Sequence, residues 1–268
     1  MTQNDVPVQM PAEKVTETWS VLPSWLPVSG LGALPVNAFL RKGAEPMLVD
    51  TGLAALSDRF IETLFSEVDP GDLRWIWLSH TDADHVGNLA AILAKAPKAQ
   101  VVTNFLGAGK LSLLGFDTPE RLRILQPGED FELGADRVHQ VRPPYYDAPE
   151  TMGFFDPSER ILFAADAFGA LLPERVGGIE EIGAEALRDG LVGWSSVDAP
   201  WLAALDRTTL GAILNGLDAL APAHVLSGHL PPARRLDLLT RTLRTAYGQG
   251  TTGAIPSETA AQLEAALG

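Results

Sequence analysis

The chain has 268 residues, 46% hydrophobic and 20% charged, which is ordinary for one large soluble α/β domain. With 34 acidic against 20 basic residues the formal net charge is −14, which repels phosphate backbones and argues against nucleic acid as a partner. Cysteine is absent, excluding disulfides, thiolate ligands and iron–sulfur clusters, and no apolar run is long enough to cross a bilayer. Met1 to Glu13 lacks a basic stretch followed by an apolar one, so no secretory signal is expected; with the missing cysteines this suits the cytoplasm.

In chain order, residues 1–18 are expected to be a flexible segment, and 19–268 a single domain. Trp19 to Leu34 reads as an irregular apolar segment that covers the core or lines a pocket mouth. Val36 to Arg41 and Pro46 to Asp50 read as strands joined by a hairpin at Lys42-Gly-Ala-Glu45, and Leu56 to Val68 as a helix. Trp75 to Leu78 is a strand, Val86 to Ala96 a helix, Gln100 to Asn104 a strand and Gly107 to Gly115 a short helix. Strand-like stretches follow at 123–126, 137–142, 152–155 and 160–164. Residues 170–198 form the least regular stretch, read as a lid, a subunit contact of a homodimer or a plain surface insertion. Asp198 is expected to cap a helix beginning at Ala199-Pro200. Leu210 to Leu220 is helical, His224 to Ser227 a strand, and Ala233 to Tyr247 an amphipathic helix with Leu236, Leu239 and Leu243 inward.

The densest chemistry follows the Trp75 strand. His80-Thr-Asp82-Ala-Asp84-His85 places two imidazoles and two carboxylates within six residues. Residues two apart in extended chain point the same way, so His80 and Asp82 can face one point. Asp84 and His85 open the next helix, where free N–H groups favour an anion. Imidazoles among carboxylates are a ligand set for divalent metal, and a solvated turn capped by one Asp leaves the other three residues unexplained. Three later positions repeat the arrangement: Asp166 ends the strand Leu162-Phe-Ala-Ala-Asp166, His229 follows Val225-Leu-Ser-Gly, and Asp147 sits in the loop Pro143-Pro-Tyr-Tyr-Asp147-Ala-Pro149. A carboxylate leaving a buried strand needs a partner, because burying an unpaired charge is costly. Asp147 also reads as a simple turn former, with His139 as its substitute ligand.

As a set, His-x-Asp-x-Asp-His after a strand, Val49-Asp-Thr-Gly52, Leu162-Phe-x-x-Asp166 and Ser227-Gly-His229 resemble the metallo-β-lactamase fold superfamily over about residues 34–230. The resemblance implies an αββα sandwich, two mixed β-sheets between helical layers. The usual motif is His-x-His-x-Asp-His, and Asp82 departs from it; Asp147 stands where the family has another His. A carboxylate at the second position is similar to flavodiiron and oxygen-binding di-iron proteins. Their Trp-Pro-Asp-Ser-Met and Asn-Asp-Ala-Phe-Gly stretches resemble Ala148-Pro-Glu-Thr-Met152 and Ala165-Asp-Ala-Phe-Gly169.

That resemblance implies His80, Asp82 and Asp147 on one metal and Asp84, His85 and His229 on a second, with Asp166 bridging. Four carboxylates balance two divalent ions, and an oxygen-rich shell favours iron or manganese over zinc. Asp50 is expected to orient the motif loop, Tyr146 to stand beside the ligands, and Asp84 to orient a reacting water as well as to ligate. The reaction implied is redox: oxygen, peroxide or nitric oxide bound between the metals. An external electron donor would be needed, since Leu230 to Gly268 is too short for a flavin domain. The alternatives are metal-dependent hydrolysis of thioesters, lactones or phosphodiesters, and a non-catalytic gas sensor.

Overall fold

Side chains alternate across a strand, and here the alternation separates two apolar environments. The computed structural model describes residues 6–234 and 236–247. A first sheet contains β1 (Val8–Gln9), β2 (Glu13–Lys14), β3 (Trp19–Val28), β4 (Gly32–Arg41), β5 (Met47–Val49), β6 (Trp75–Trp77), β7 (Gln100–Asn104) and β8 (Leu122–Leu125). β3 and β4 run antiparallel from Trp19 opposite Arg41 to Val28 opposite Gly32, whereas β5 through β8 are parallel neighbours. A second sheet holds β9 (Phe131–Leu133), β10 (Asp136–Val141), β11 (Gly153–Asp156), β12 (Ile161–Phe163), β13 (His224–Ser227) and β14 (Leu230–Ala233) in the order β14-β13-β12-β11-β10-β9.

Trp19, Val21, Phe39, Val49, Trp77 and Val102 of the first sheet meet Phe154, Phe163 and Leu226 of the second. The intervening residues Leu22, Ala38, Leu40, Leu48, Ile76 and Val101 face outward. They pack on α1 (Ser57–Glu67), α3 (Leu89–Lys95) and α4 (Phe105–Leu113) through Phe60, Leu64, Ile92, Leu93 and Leu111. The outer side of the second sheet, Leu162 and Val225 among it, is covered by α5 (Ala184–Asp198), α6 (Arg207–Leu220) and α7 (Leu236–Tyr247). This is the expected αββα sandwich.

Several expectations are corrected. Residues 8–9 and 13–14 pair with β3 rather than fraying, while residues 1–5 lie outside the described residues. The segment expected to be irregular is the ten-residue strand β3 and the start of β4. Pro23, Pro27 and Pro35 argue against strands there. However, burying Trp19, Val21, Leu22 and Trp25 contributes roughly 1.5–3 kcal/mol each, more than propensity differences of about 1 kcal/mol oppose. The expected helix 86–96 is broken into α2 (Ala83–Val86) and α3, because the turn between them is clasped by the chain after β5. Thr51 donates to the His85 carbonyl at 2.7 Å, and Asn88 Nδ2 donates to the Thr51 carbonyl at 2.6 Å. A Cβ on Gly87 would lie 2.3 Å from the Gly52 carbonyl oxygen. Within residues 170–198, expected to be the least regular stretch, the second half is the packed helix α5. Ala233 ends a strand, β14, instead of opening the last helix, and residues 248–268 of the expected domain lie outside the described residues.

Candidate metal centre

The parallel pairs β5–β6 and β12–β13 deliver their carboxyl ends to one edge of the sandwich, where open α/β sheets place their ligands. Asp50 leaves β5, His80 follows β6, Asp166 follows β12 and His229 follows β13. Asp50 and Ala165 have φ of 58° and 50°, left-handed values that reverse the chain just beyond the strands. The Ala165 turn is held by the Gly228 N–H, which donates to its carbonyl at 2.8 Å. Asp147 lies between β10 and β11 in a loop tied to the motif. Met152 N–H donates to the Ser79 carbonyl at 2.7 Å, and the Thr81 hydroxyl to Glu150 Oε1 at 2.8 Å.

Supporting groups fix how the imidazoles face. Asp50 Oδ1 accepts the Ser79 N–H at 2.7 Å and Oδ2 accepts the His85 Nδ1–H at 2.9 Å. His229 Nδ1 donates to the Pro35 carbonyl at 2.9 Å, and His80 Nδ1 lies 2.9 Å from the Ser79 hydroxyl. All three Nε2 atoms are left to the cavity, the arrangement that fixed metal-ligating histidines require.

Asp166 joins two groups. Its Oδ1 lies 3.2 Å from His85 Nε2 and 3.5 Å from His229 Nε2; its Oδ2 lies 3.3 Å from His80 Nε2. Asp84 Oδ2 completes one group at 3.5 Å from His85 and 3.4 Å from His229. Asp147 and Asp82 complete the other at 3.9 and 4.0 Å from His80 Nε2. The structure thus brings together all seven residues expected as ligands, in the expected two groups.

Burial alone would lower His229, but Asp166 and Asp84 outweigh it and hold the imidazole up at about 9. Burial is likewise outweighed at His85 and His80, both raised by Asp166 and other carboxylates. Burial opposes ionisation of Asp166, yet His85, His80 and His229 hold it well below the usual carboxylate range. Asp147 is raised, first by burial and then by Asp166 and Asp82. Without a cation, these groups can satisfy one another only by keeping protons on the rings.

Divalent ions fit this donor set. His80 Nε2, His85 Nε2 and Asp166 Oδ1 are buried without a hydrogen-bond partner, in side chains no more than 4% exposed. Buried orphaned atoms are rare in native proteins, and here they converge on one cavity.

Of the expected supporting residues, Asp50 makes its contacts as described. Tyr146 is corrected: its ring lies under the Arg142 guanidinium at 4.0 Å and beside Trp201 at 5.3 Å, and its hydroxyl has no described bond to a ligand. Its neighbour Tyr145 is the buried one, accepting the Phe168 N–H just beyond Asp166. His139 pairs with Asp130 at 2.8 Å, so it is no substitute for Asp147. Sequence reasoning missed two residues of α5. The Trp194 ring lies 5.2 Å from that of His229, and Asp198 brings its carboxylate close to Asp147 and Asp166. Asp198 is also corrected as a cap, since Ala199 precedes the short helix Pro200–Ala204 and no side chain caps it. Helical spacing offered the missing signal: residues four apart share a face.

Two mixed sheets between helical layers, with a histidine- and carboxylate-lined cavity at one edge, define a metallo-β-lactamase-type fold. Residues 34–185, more than half of the chain, match the family described as ODP family beta lactamase, and the chain belongs to it. It is similar to the putative diflavin flavoprotein A 1 of Thermosynechococcus vestitus, 36% identical over 137 residues that cover 50% of this chain and 24% of that protein. The flavo-diiron protein FprA2 of Clostridium acetobutylicum is 27% identical over 136 residues, covering 50% of this chain and 34% of its own. The fold matches rubredoxin oxygen:oxidoreductase from the anaerobe Desulfovibrio gigas with a TM-score of 0.76 at 20% identity, over 89% of this chain and 61% of that one. The matched region is therefore only a part of these longer relatives.

Proposed function

We propose that this cavity holds two iron ions and binds dioxygen as part of a redox function, with reduction by an external electron donor. The observation carrying the reading is the division of Asp166 between His80 on one oxygen and His85 with His229 on the other. His80, Asp82 and Asp147 would hold one ion; Asp84, His85 and His229 the second; Asp166 would bridge. Four carboxylates match the charge of two divalent ions and favour the harder, oxygen-preferring metals. The names flavo-diiron protein and oxygen:oxidoreductase, carried by relatives, support the same direction.

When bound, two such ions would supply one-electron redox steps for a small gaseous ligand. The protein's share is positional. Asp50 holds the His85 ring, the Pro35 carbonyl holds His229, and Glu150 ties the Asp147 loop to Thr81. Asp84, 27% exposed between two imidazoles, would hold the second ion and is placed to orient a water beside it. The Trp194 ring packs beside His229 at 5.2 Å.

The test is anaerobic loading with ferrous iron followed by exposure to oxygen. A ferric absorption band that disappears on renewed reduction supports the proposal. A colourless protein that hydrolyses a thioester or lactone panel with manganese bound overturns it in favour of hydrolysis.

A further inference from the structure

We propose that Asp198 is an eighth metal-holding side chain, closing the centre from α5 on the side of Asp147 and Asp166. The proposal rests on the two-metal reading above and adds a ligand that the motif does not contain. Carboxylate oxygens of Asp147, Asp166 and Asp198 all lie within 4.8 Å of one another. Asp198 Oδ2 is buried without a hydrogen-bond partner. Asp166 in the same cavity is only 4% exposed, and its Oδ1, close to the His85 and His229 rings, likewise makes no hydrogen bond.

Three costs coincide at this position. Asp198 is the last residue of a fifteen-residue helix, where the partial charge of the carbonyl ends is negative. It is largely withdrawn from water, and its nearest ionisable neighbours include two further carboxylates. A capping role would give the carboxylate a donor, but the following turn has no side-chain cap. A cation shared with Asp147 and Asp166 offsets all three costs together.

The position is also firmly fixed. α5 buries Leu187 and Leu191 in the outer core, and the Ser195 hydroxyl, one turn before Asp198, lies 2.7 Å from the Tyr247 hydroxyl. A carboxylate on such a helix stays where the helix puts it. Its likeness to a site built on a rigid element is what metal positioning needs.

The experiment is a manganese titration of the metal-free 268-residue chain, reading free Mn(II) by its six-line paramagnetic resonance signal. Wild type, D198N, D198A and the same-helix control D189N are compared, with circular dichroism checking the helices. Wild type and D189N are expected to bind two equivalents, and both Asp198 variants to bind one of the two ions at least tenfold more weakly. D198N is nearly isosteric, so it carries the test if D198A loses helix signal. Two ions bound with wild-type affinity by D198N and D198A would overturn the role of Asp198 while leaving the two-metal reading standing. A wild type that binds no manganese would overturn both.

Discussion

Asp50 Oδ2 accepts the His85 Nδ1–H at 2.9 Å, and both side chains are about 1% exposed. This bond turns the opposite ring nitrogen, Nε2, to within 3.2 Å of Asp166. Asp50 touches no proposed ion, yet Asp50→Ala should lower metal affinity roughly 10–100-fold, the usual cost of removing a partner behind a ligating histidine. It also leaves the buried Ser79 N–H without its acceptor, which should cost about 1–3 kcal/mol of stability. Chelator competition and thermal melts of the metal-free variant measure the two effects separately; unchanged affinity would contradict the role.

Gly228 gives a test by shape alone. A Cβ there would lie 2.9 Å from Asp166 Oδ1 and 3.1 Å from His85 Cε1, tighter than ordinary contacts allow. Gly228→Ala should therefore displace the bridging carboxylate and reduce binding from two ions to one or none, while the sandwich still folds. Metal analysis beside circular dichroism reads both. Two tightly held ions in this variant would mean that Asp166 does not bridge at the position described.

Much of the site was legible in the sequence because its ligands follow short, strongly apolar strands, as at Trp75–Trp77 and Ile161–Phe163. The ends of such strands are marked by the switch to polar residues. The long hairpin was not legible, because Pro23, Pro27 and Pro35 mask a strand pattern that tertiary burial imposes. Pro231 and Pro232 hid β14 in the same way. Asp198 was read as a cap and not as a cavity residue for another reason. Its partners Asp147 and Asp166 are distant in sequence, and only the docking of α5 on the second sheet brings it to them.

Protons should compete with metal. His229 has a value of about 9 in the folded, metal-free protein against an ordinary 6.5, set by burial and then, with opposite sign, by Asp166 and Asp84. A raised folded value means that this stabilisation is fully present below pH 6.5 and is lost as pH rises through 9. Asp198, pushed up to about 8 by burial and then Asp166, acts the same way: its folded proton leaves near pH 8, and the stability linked to it declines from 3.8 to about 8. For His229 the change amounts to at most about 3 kcal/mol. Thermal melts of chelator-treated protein should thus fall between pH 6.5 and 9. Those of loaded protein should hold nearly level, and loading should release protons. Metal-free melting temperatures that rise through this window would contradict the assignment.

Asp82 is half exposed and 4.0 Å from His80 Nε2, which makes it replaceable without disturbing the core. Asp82→His restores the imidazole that the usual motif has there, so the ligand set becomes softer and less anionic. After loading from equal iron and zinc, the variant should retain a larger share of zinc than the parent protein. An unchanged ratio would show that ligand hardness at this position does not select the metal.

The most direct measurement is an anomalous-scattering map of a crystal grown with iron, recorded on both sides of the iron edge. Two iron peaks roughly 3.5–4 Å apart are expected, one beside each oxygen of Asp166. An empty cavity, or a single peak with His229 or His80 turned away from it, would contradict a dinuclear centre.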